Sequence, residues 1–142
     1  MWCSEQKDIK MKGHAIQSRV TTEDAANDFA PDYGKITVYR SASGHGIRLD
    51  AGTASTGTVI TPYYDSLLVK VSAKGQSPVE AKQRMDRALS EFRVRGVKTN
   101  IPFLLKLINH PGFDKFDYHT KFIDSEKSLF EFSGRKTEPL KH

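Results

Sequence analysis

The chain has 142 residues, 37% of them hydrophobic and 27% charged, enough for one domain with its own core and too few for a multidomain enzyme. No run approaches the roughly 18 apolar residues of a membrane span, and no basic segment leads into an apolar stretch at the start, so a soluble, cytoplasmic protein with no membrane partner is expected. The single cysteine, Cys3, excludes an internal disulfide and a multi-cysteine zinc site, and 22 Lys+Arg against 17 Asp+Glu leave +5, a mild excess that selects no partner.

Residues 1–12 (MWCSEQKDIKMK) show no period and read as a poorly ordered arm. From His14 the chain alternates as a half-buried strand, with Ala15, Gln17 and Arg19 on one side and Ile16, Ser18 and Val20 on the other. Thr21-Thr22-Glu23-Asp24 suits a turn or a single helical turn. Pro31, Asp32 and Gly34 mark another turn before a second strand over Lys35–Arg40, favoured by Ile36, Val38 and Tyr39. Gly44-His45-Gly46 precedes a third strand over Ile47–Asp50, and the pair reads as a hairpin. Residues 51–57 (AGTASTG) read as a loop, Thr58–Thr61 as a fourth strand and Ser66–Ser72 as the most apolar of five. An antiparallel sheet follows.

The period then changes. Ser77-Pro78-Val79-Glu80 has a capping hydroxyl, proline at the first helical position and glutamate at the third, the pattern of a capping box. Ala81, Met85, Ala88, Leu89 and Phe92 recur at helical spacing, predicting about four turns laid on the sheet. A shorter helix is expected after Thr99-Asn100, through Phe103, Leu104, Leu107 and Ile108 to a stop at His110-Pro111, and the tail from Ser133 is polar. The predicted class is α+β, with an antiparallel sheet in the first half packed by a long helix and a shorter helix in the second.

Most chemical motifs fall away on inspection. The five histidines (14, 45, 110, 119 and 142) have no HxH or HExxH spacing, so no metal site is predicted. No G-x-S-x-G elbow accompanies the serines. Gly52–Thr58 has the glycine spacing of a phosphate loop without its lysine, and Gly44-His45-Gly46 precedes a strand where a dinucleotide fingerprint needs a helix. Arg84, Arg87, Arg93, Arg95 and Lys98 cluster around the long helix and its exit, but Asp86 and Glu91 interrupt them and no aromatic platform lies beside them; a solvated face or partner surface is favoured over nucleic acid. Arg48 stands out. Mid-strand after a glycine turn, its guanidinium has a rigid base from which to hold an oxyanion, although an exposed arginine on an edge strand is the simpler reading on local grounds.

The run from Gly13 to Asp124 resembles the C-terminal subdomain of biotin carboxylase in the biotin-dependent carboxylases. The matching segments are GHAIQSRV (13–20), TED (22–24), FAP (29–31), GKI (34–36), GIR (46–48), PYYDSLLVK (62–70) and GVKTN (96–100), in the family's order over about four-fifths of the chain. PYYDSLLVKV and RGVKTNIPFL are the most specific, and FRVRGVKTNIPFL (92–104) resembles the pyruvate carboxylase branch, in a bacterial form, more than the acyl-CoA carboxylases.

The resemblance implies an ATP- and bicarbonate-dependent carboxylation of the ureido nitrogen of biotin held on a separate carrier domain, in a homo-oligomeric ligase that passes the carboxyl group to pyruvate. It further implies that the arginine of the GxGxR segment, here Arg48, contacts biotin and stabilises its enolate-like anion. Physical logic agrees, because developing charge on a ureido oxygen is best met by a cation already in place. The implied domain spans 13–126, with 1–12 as an arm and 127–142 as a linker remnant. The family's ATP-grasp core, which holds ATP and Mg2+, lies upstream of the matching region, and the biotinylation motif Ala-Met-Lys-Met is absent, Lys10-Met11-Lys12 being a superficial echo. A carboxyltransferase barrel would need about 250 residues. The chain is therefore expected to supply Arg48 and part of a dimer surface, to bind no cofactor alone and to be inactive alone. The alternative is an interaction module that keeps the fold without the chemistry and uses the basic helix face.

Overall fold

Leu67–Gly75 is the strand around which the rest assembles. Val69, Val71 and Ala73 point one way and have no exposed surface, while Lys70, Ser72 and Lys74 point the other. The computed structural model describes residues 5–52, 54–115 and 118–132. Its strands in chain order are β1 (His14–Thr21), β2 (Glu23–Asp24), β3 (Ala30–Pro31), β4 (Gly34–Lys35), β5 (Val38–Arg40), β6 (Ile47–Ala51), β7 (Val59–Ile60), β8 (Leu67–Gly75) and β9 (Arg93–Arg95). The helices are α1 (Pro78–Glu91), α2 (Ile101–Ile108), α3 (Pro111–Asp114) and α4 (Phe122–Ser125), with 3-10 turns at Gln6–Asp8, Ala25–Asn27 and Lys127–Phe130.

The α+β class holds, but the sheet is smaller than the sequence implied. β8 lies between β1 and β6, both antiparallel to it, and the remaining strands form two-stranded ribbons, β2 with β3, β4 with β7 and β5 with β9. The expected hairpin between Lys35–Arg40 and Ile47–Asp50 is not formed. Ile36 is fully buried and breaks the first of these strands: Gly34–Lys35 pairs with β7, and Val38–Arg40 pairs with β9. Around the break, Ile36 N donates to Thr58 O at 2.9 Å and Thr37 N to Arg95 O at 2.9 Å, so the chain passes from one partner to the other while its side chain enters the core. Ile47–Ala51 instead takes β8, where Ile47 and Leu49 pack on the core. Gly44-His45-Gly46 is thus a turn between strands of different sheets, with φ +122° and +76° at the glycines. The helical turn expected over Thr21–Asp24 begins later, at Ala25, capped by Asp24.

The helices follow their sequence signals closely. Ser77 Oγ accepts from Glu80 N at 3.2 Å and Pro78 opens α1, but the Glu80 carboxylate takes the amide of Gln76 rather than that of Ser77, one residue before the capping-box position. Ala81, Met85, Ala88 and Leu89 are buried against the inner face of the sheet. At Gly75 an added Cβ would lie 2.5 Å from Ala81 N, so glycine permits the close approach of β8 to α1. A second cluster joins Ala25, Phe103, Phe122 and Leu129, with Phe29 edge-on to Phe103 at 4.9 Å. Asp28 and Phe29 have φ of 50° and 54°, an uncommon left-handed pair that delivers the Phe29 ring to this cluster. Of the arm, residues 1–4 lie outside the described residues and 5–12 are exposed; the tail from Ser133 also lies outside them.

Two polar ties close the fold. Asn100, nearly buried, accepts from Thr21 N at 2.9 Å and donates to Arg19 O at 3.0 Å, fixing the start of α2 to the end of β1. Lys98 donates to Asp24 at 2.5 Å, and its backbone N–H donates to Asp32 at 2.6 Å. The Lys98 hydrogen bond, reinforced by Ala26 N and opposed by burial, holds the Asp24 carboxyl below its ordinary 3.8, and the same bond raises Lys98 above 10.5.

Asn100→Ala leaves a backbone donor and an acceptor unpaired and should cost about 1–3 kcal/mol, read as a fall in Tm of about 4 °C per kcal/mol. A lowered Asp24 pKa means stability present above the ordinary carboxyl value and lost as pH falls through the folded one; a raised Lys98 pKa means stability present below 10.5 and lost above it. Lys98→Met should therefore lower Tm at neutral pH, with the difference from wild type closing in acid and again in strong base. A difference that stayed constant across both limits would show that the pair contributes nothing.

Candidate functional site

Because β8 buries one row of side chains, the opposite row of the same three strands forms a polar face. Register sets its layout: Gln17, Ser72 and Arg48 stand in one row across β1, β8 and β6, and Arg19, Lys70 and Asp50 in the next. Gln17 Nε2 donates to Ser72 Oγ at 3.1 Å, and Arg19 lies 4.0 Å from Asp65. The residue singled out from sequence, Arg48, is the second residue of β6, one of the two outer strands of the sheet, with 78% of its side chain exposed. Its Nε and Nη2 donate to Asp50 Oδ1 at 3.1 and 2.9 Å.

Asp50 was missed by sequence reasoning, although a strand period of two places i and i+2 on one face and would have found it. Gln17, Ser72 and Lys70 needed the register. The Asp50 contact holds the guanidinium by one edge and leaves Nη1 directed away from the pair, so the group is oriented yet able to accept an anion in the plane of its fork.

The turn that aims Arg48 is built from both sides. Ile47 N donates to Gly44 O at 3.2 Å and Lys74 N to Gly46 O at 2.8 Å. An added Cβ on Gly46 would lie 2.6 Å from Lys74 O and 2.7 Å from Arg84 Nη1. Arg84 braces this corner, donating to Lys74 O at 2.5 Å and pairing with Glu80.

Other sequence candidates separate in space. Arg84 is committed to the turn, Arg87 lies 3.9 Å from Glu91, Lys98 holds Asp24, and Arg93 and Arg95 are on β9, so the basic set forms no continuous helix face. In the glycine-spaced loop, Gly52 N donates to Leu68 O at 3.0 Å and Gly57 N to Ile36 O at 2.8 Å, which leaves neither amide for a phosphate; Thr53 lies outside the described residues. His110 Nδ1 accepts from Gly112 N at 3.1 Å and caps α3. Among the described residues no three His, Cys, Asp or Glu side chains gather as a metal site, and no helix is long and apolar enough to cross a membrane.

The model of the biotin carboxylase C-terminal domain family matches residues 17–125, and the chain belongs to it. The relatives it resembles are pyruvate carboxylases: that of Bacillus subtilis is 55% identical over 137 residues, covering 96% of this chain and 12% of the relative, and that of the yeast Pichia angusta is 54% identical over 136. Among solved structures, the complete multifunctional pyruvate carboxylase from Rhizobium etli superposes with a TM-score of 0.88 at 58% identity, over 90% of this chain and 13% of that one. The biotin carboxylase domain of Hydrogenobacter thermophilus 2-oxoglutarate carboxylase, in complex with MgADP and bicarbonate, gives 0.87 at 34%, over 92% and 29%. The chain spans about one-eighth of the length of the curated relatives it matches.

Gly46→Ala should displace the turn, since the new Cβ meets a backbone carbonyl at a left-handed φ. We expect a loss of about 2 kcal/mol or more in stability and faster hydrogen exchange at Ile47–Asp50 than at Gln17–Val20. Uniform protection across both strands would mean that the turn does not govern β6.

Proposed function

We propose that this chain is the C-terminal part of the biotin carboxylase module of a pyruvate carboxylase, an ATP-dependent ligase acting in the cytoplasm as a homo-oligomer, and that Arg48 is its contribution to the chemistry. The observation that carries this reading is the guanidinium of Arg48, exposed on a rigid strand and oriented by Asp50. The domain proper is assigned to 13–126. ATP, Mg2+ and bicarbonate belong to the ATP-grasp part of such a module and biotin to its carrier, and pyruvate becomes oxaloacetate at a further site. Biotin, when delivered, supplies the ureido nitrogen that takes up the carboxyl group.

The residues present fit that partner. Negative charge that developed on a ureido oxygen would meet in Arg48 a cation already in place, which lowers the barrier without having to reorganise. Arg48 meets this need through N–H groups that Asp50 does not occupy, while Asp50 keeps the side chain from sweeping its full rotamer range. The gap between an open guanidinium here and a strong oxyanion site is closed by whatever covers this face, because a charge pair gains strength as water is excluded.

Arg48→Ala in the complete protein should reduce biotin carboxylation about 100- to 1000-fold, the cost of removing one preorganised donor, with ATP affinity changed less than about twofold. Arg48→Lys should recover only part of the loss, since the ammonium keeps the charge but not the fork. Carboxylation at the wild-type rate in Arg48→Ala would overturn the role assigned to this residue.

A further inference from the structure

Arg48 has few supports of its own: its side chain is 78% exposed, and its bonded partner, Asp50, lies on the same strand. Where the guanidinium stands is therefore set by where the backbone of β6 stands. β6 is an outer strand that pairs with β8 on one side, and Arg48 is its second residue. Its placement consequently leans on the turn that precedes it.

That turn is held from α1, which sets an arginine over each of its glycines. An added Cβ on Gly46 would lie 2.7 Å from Arg84 Nη1, and one on Gly44 would lie 3.0 Å from Arg87 Nη2. Arg84 is the one bonded into the corner that leads to Arg48. Its Nη1 donates to Lys74 O at 2.5 Å, and Lys74 N donates in turn to Gly46 O at 2.8 Å. Its Nη2 donates to Glu80 Oε1, while Glu80 Oε2 accepts from Gln76 N at 2.5 Å, so both carboxylate oxygens are taken. The helix behind Arg84 is fixed as well, since Ala81, Met85 and Ala88 are fully buried. A planar fork between two fixed acceptors holds one orientation, where an ammonium would serve only as a point charge.

We infer that Arg84 is a positioning residue for biotin carboxylation, acting from α1 through Lys74 and Gly46 on the backbone that carries Arg48. This role rests on the one proposed above for Arg48 and adds to it a residue from a different element. A fixed cation lowers a barrier only while it stays where the charge develops, and a misplacement of about 1 Å can cost about 100-fold in rate. Loss of Arg84 frees the Lys74 carbonyl and empties the space over Gly46, so the turn gains room to shift. Arg48 then moves with its strand. Its contact with Asp50 travels along and does not correct the displacement, because both residues are on β6.

A double-mutant cycle on biotin carboxylation by the complete protein, at saturating ATP and bicarbonate, tests this. Arg84→Met keeps the reach of the side chain and removes its donors; it should lower kcat about 10- to 100-fold and change ATP affinity less than about twofold. Arg84→Lys should fall between Arg84→Met and wild type. In an Arg48→Ala background the same two substitutions should change the rate less than about twofold, since an effect that runs through Arg48 vanishes with it. A further loss of about 10- to 100-fold in that background would mark a structural role independent of Arg48 and overturn the inference. So would a wild-type rate in Arg84→Met. Should Arg84→Met fail to fold, Arg84→Lys carries the same comparison across the two backgrounds. A wild-type rate in Arg48→Ala would remove the role of Arg48 and that of Arg84 together, whereas a slow Arg48→Ala beside unaffected Arg84 variants would remove that of Arg84 alone.

Discussion

The structure depends on the burial of one row of side chains from β8 beneath α1. Val69, Val71 and Ala73 are fully inside, and so are Ala81, Met85 and Ala88 on the helix that covers them. Removing such side chains from water stabilises by about 1.5–3 kcal/mol each for the larger ones. More than stability follows. Because β8 is the central strand, its register fixes which side chains of β1 and β6 face outward, and a slip of one residue would put Leu49 in water and Arg48 into the core. The polar face is thus a consequence of the apolar one.

The Arg48 corner shows how a strand position becomes a rigid one. Gly46 brings the chain against the backbone of Lys74 more closely than any side chain would allow, and Arg84 fills the outside of the bend while bonded to Glu80 and to the Lys74 carbonyl. The first turn of α1, which carries Glu80, and the end of β8, which carries Lys74, therefore support the strand that displays Arg48. Asp50 completes the arrangement from two residues away.

Away from the sheet, the chain is tied by aromatic packing and short polar links. Phe29, held in a left-handed backbone conformation, lies edge-on to Phe103 and Phe130, and Leu129 is buried in the same cluster, so Lys127–Phe130 closes against α2 and α4. A strained backbone persists where the surrounding contacts over-determine it. Asn100 joins the start of α2 to β1, and the Asp24–Lys98 pair ties β2 to the segment before α2, by bonds between residues more than 70 positions apart.

Elements whose cause is local were legible in the sequence. The first strand alternates as predicted, α1 begins at Pro78 after a capping serine, and its apolar stripe is the buried one, because a 3.6-residue period and an N-cap are properties of neighbouring residues. The family motifs were likewise readable from residue identity. Strand pairing was not. Lys35–Arg40 has the composition of one strand, yet Ile36 turns inward and divides it between two partners, and β6 chooses β8 over its sequence neighbour because only there do Ile47 and Leu49 reach the core. The same limit applies to side chains brought together by register: the row of Gln17, Ser72 and Arg48, and the opposition of Arg40 to Arg93, are set by long-range apolar burial that no local pattern records. Sequence determined what each segment prefers; tertiary structure decided which segments meet, since pairing is selected by the burial each partner offers and not by proximity along the chain.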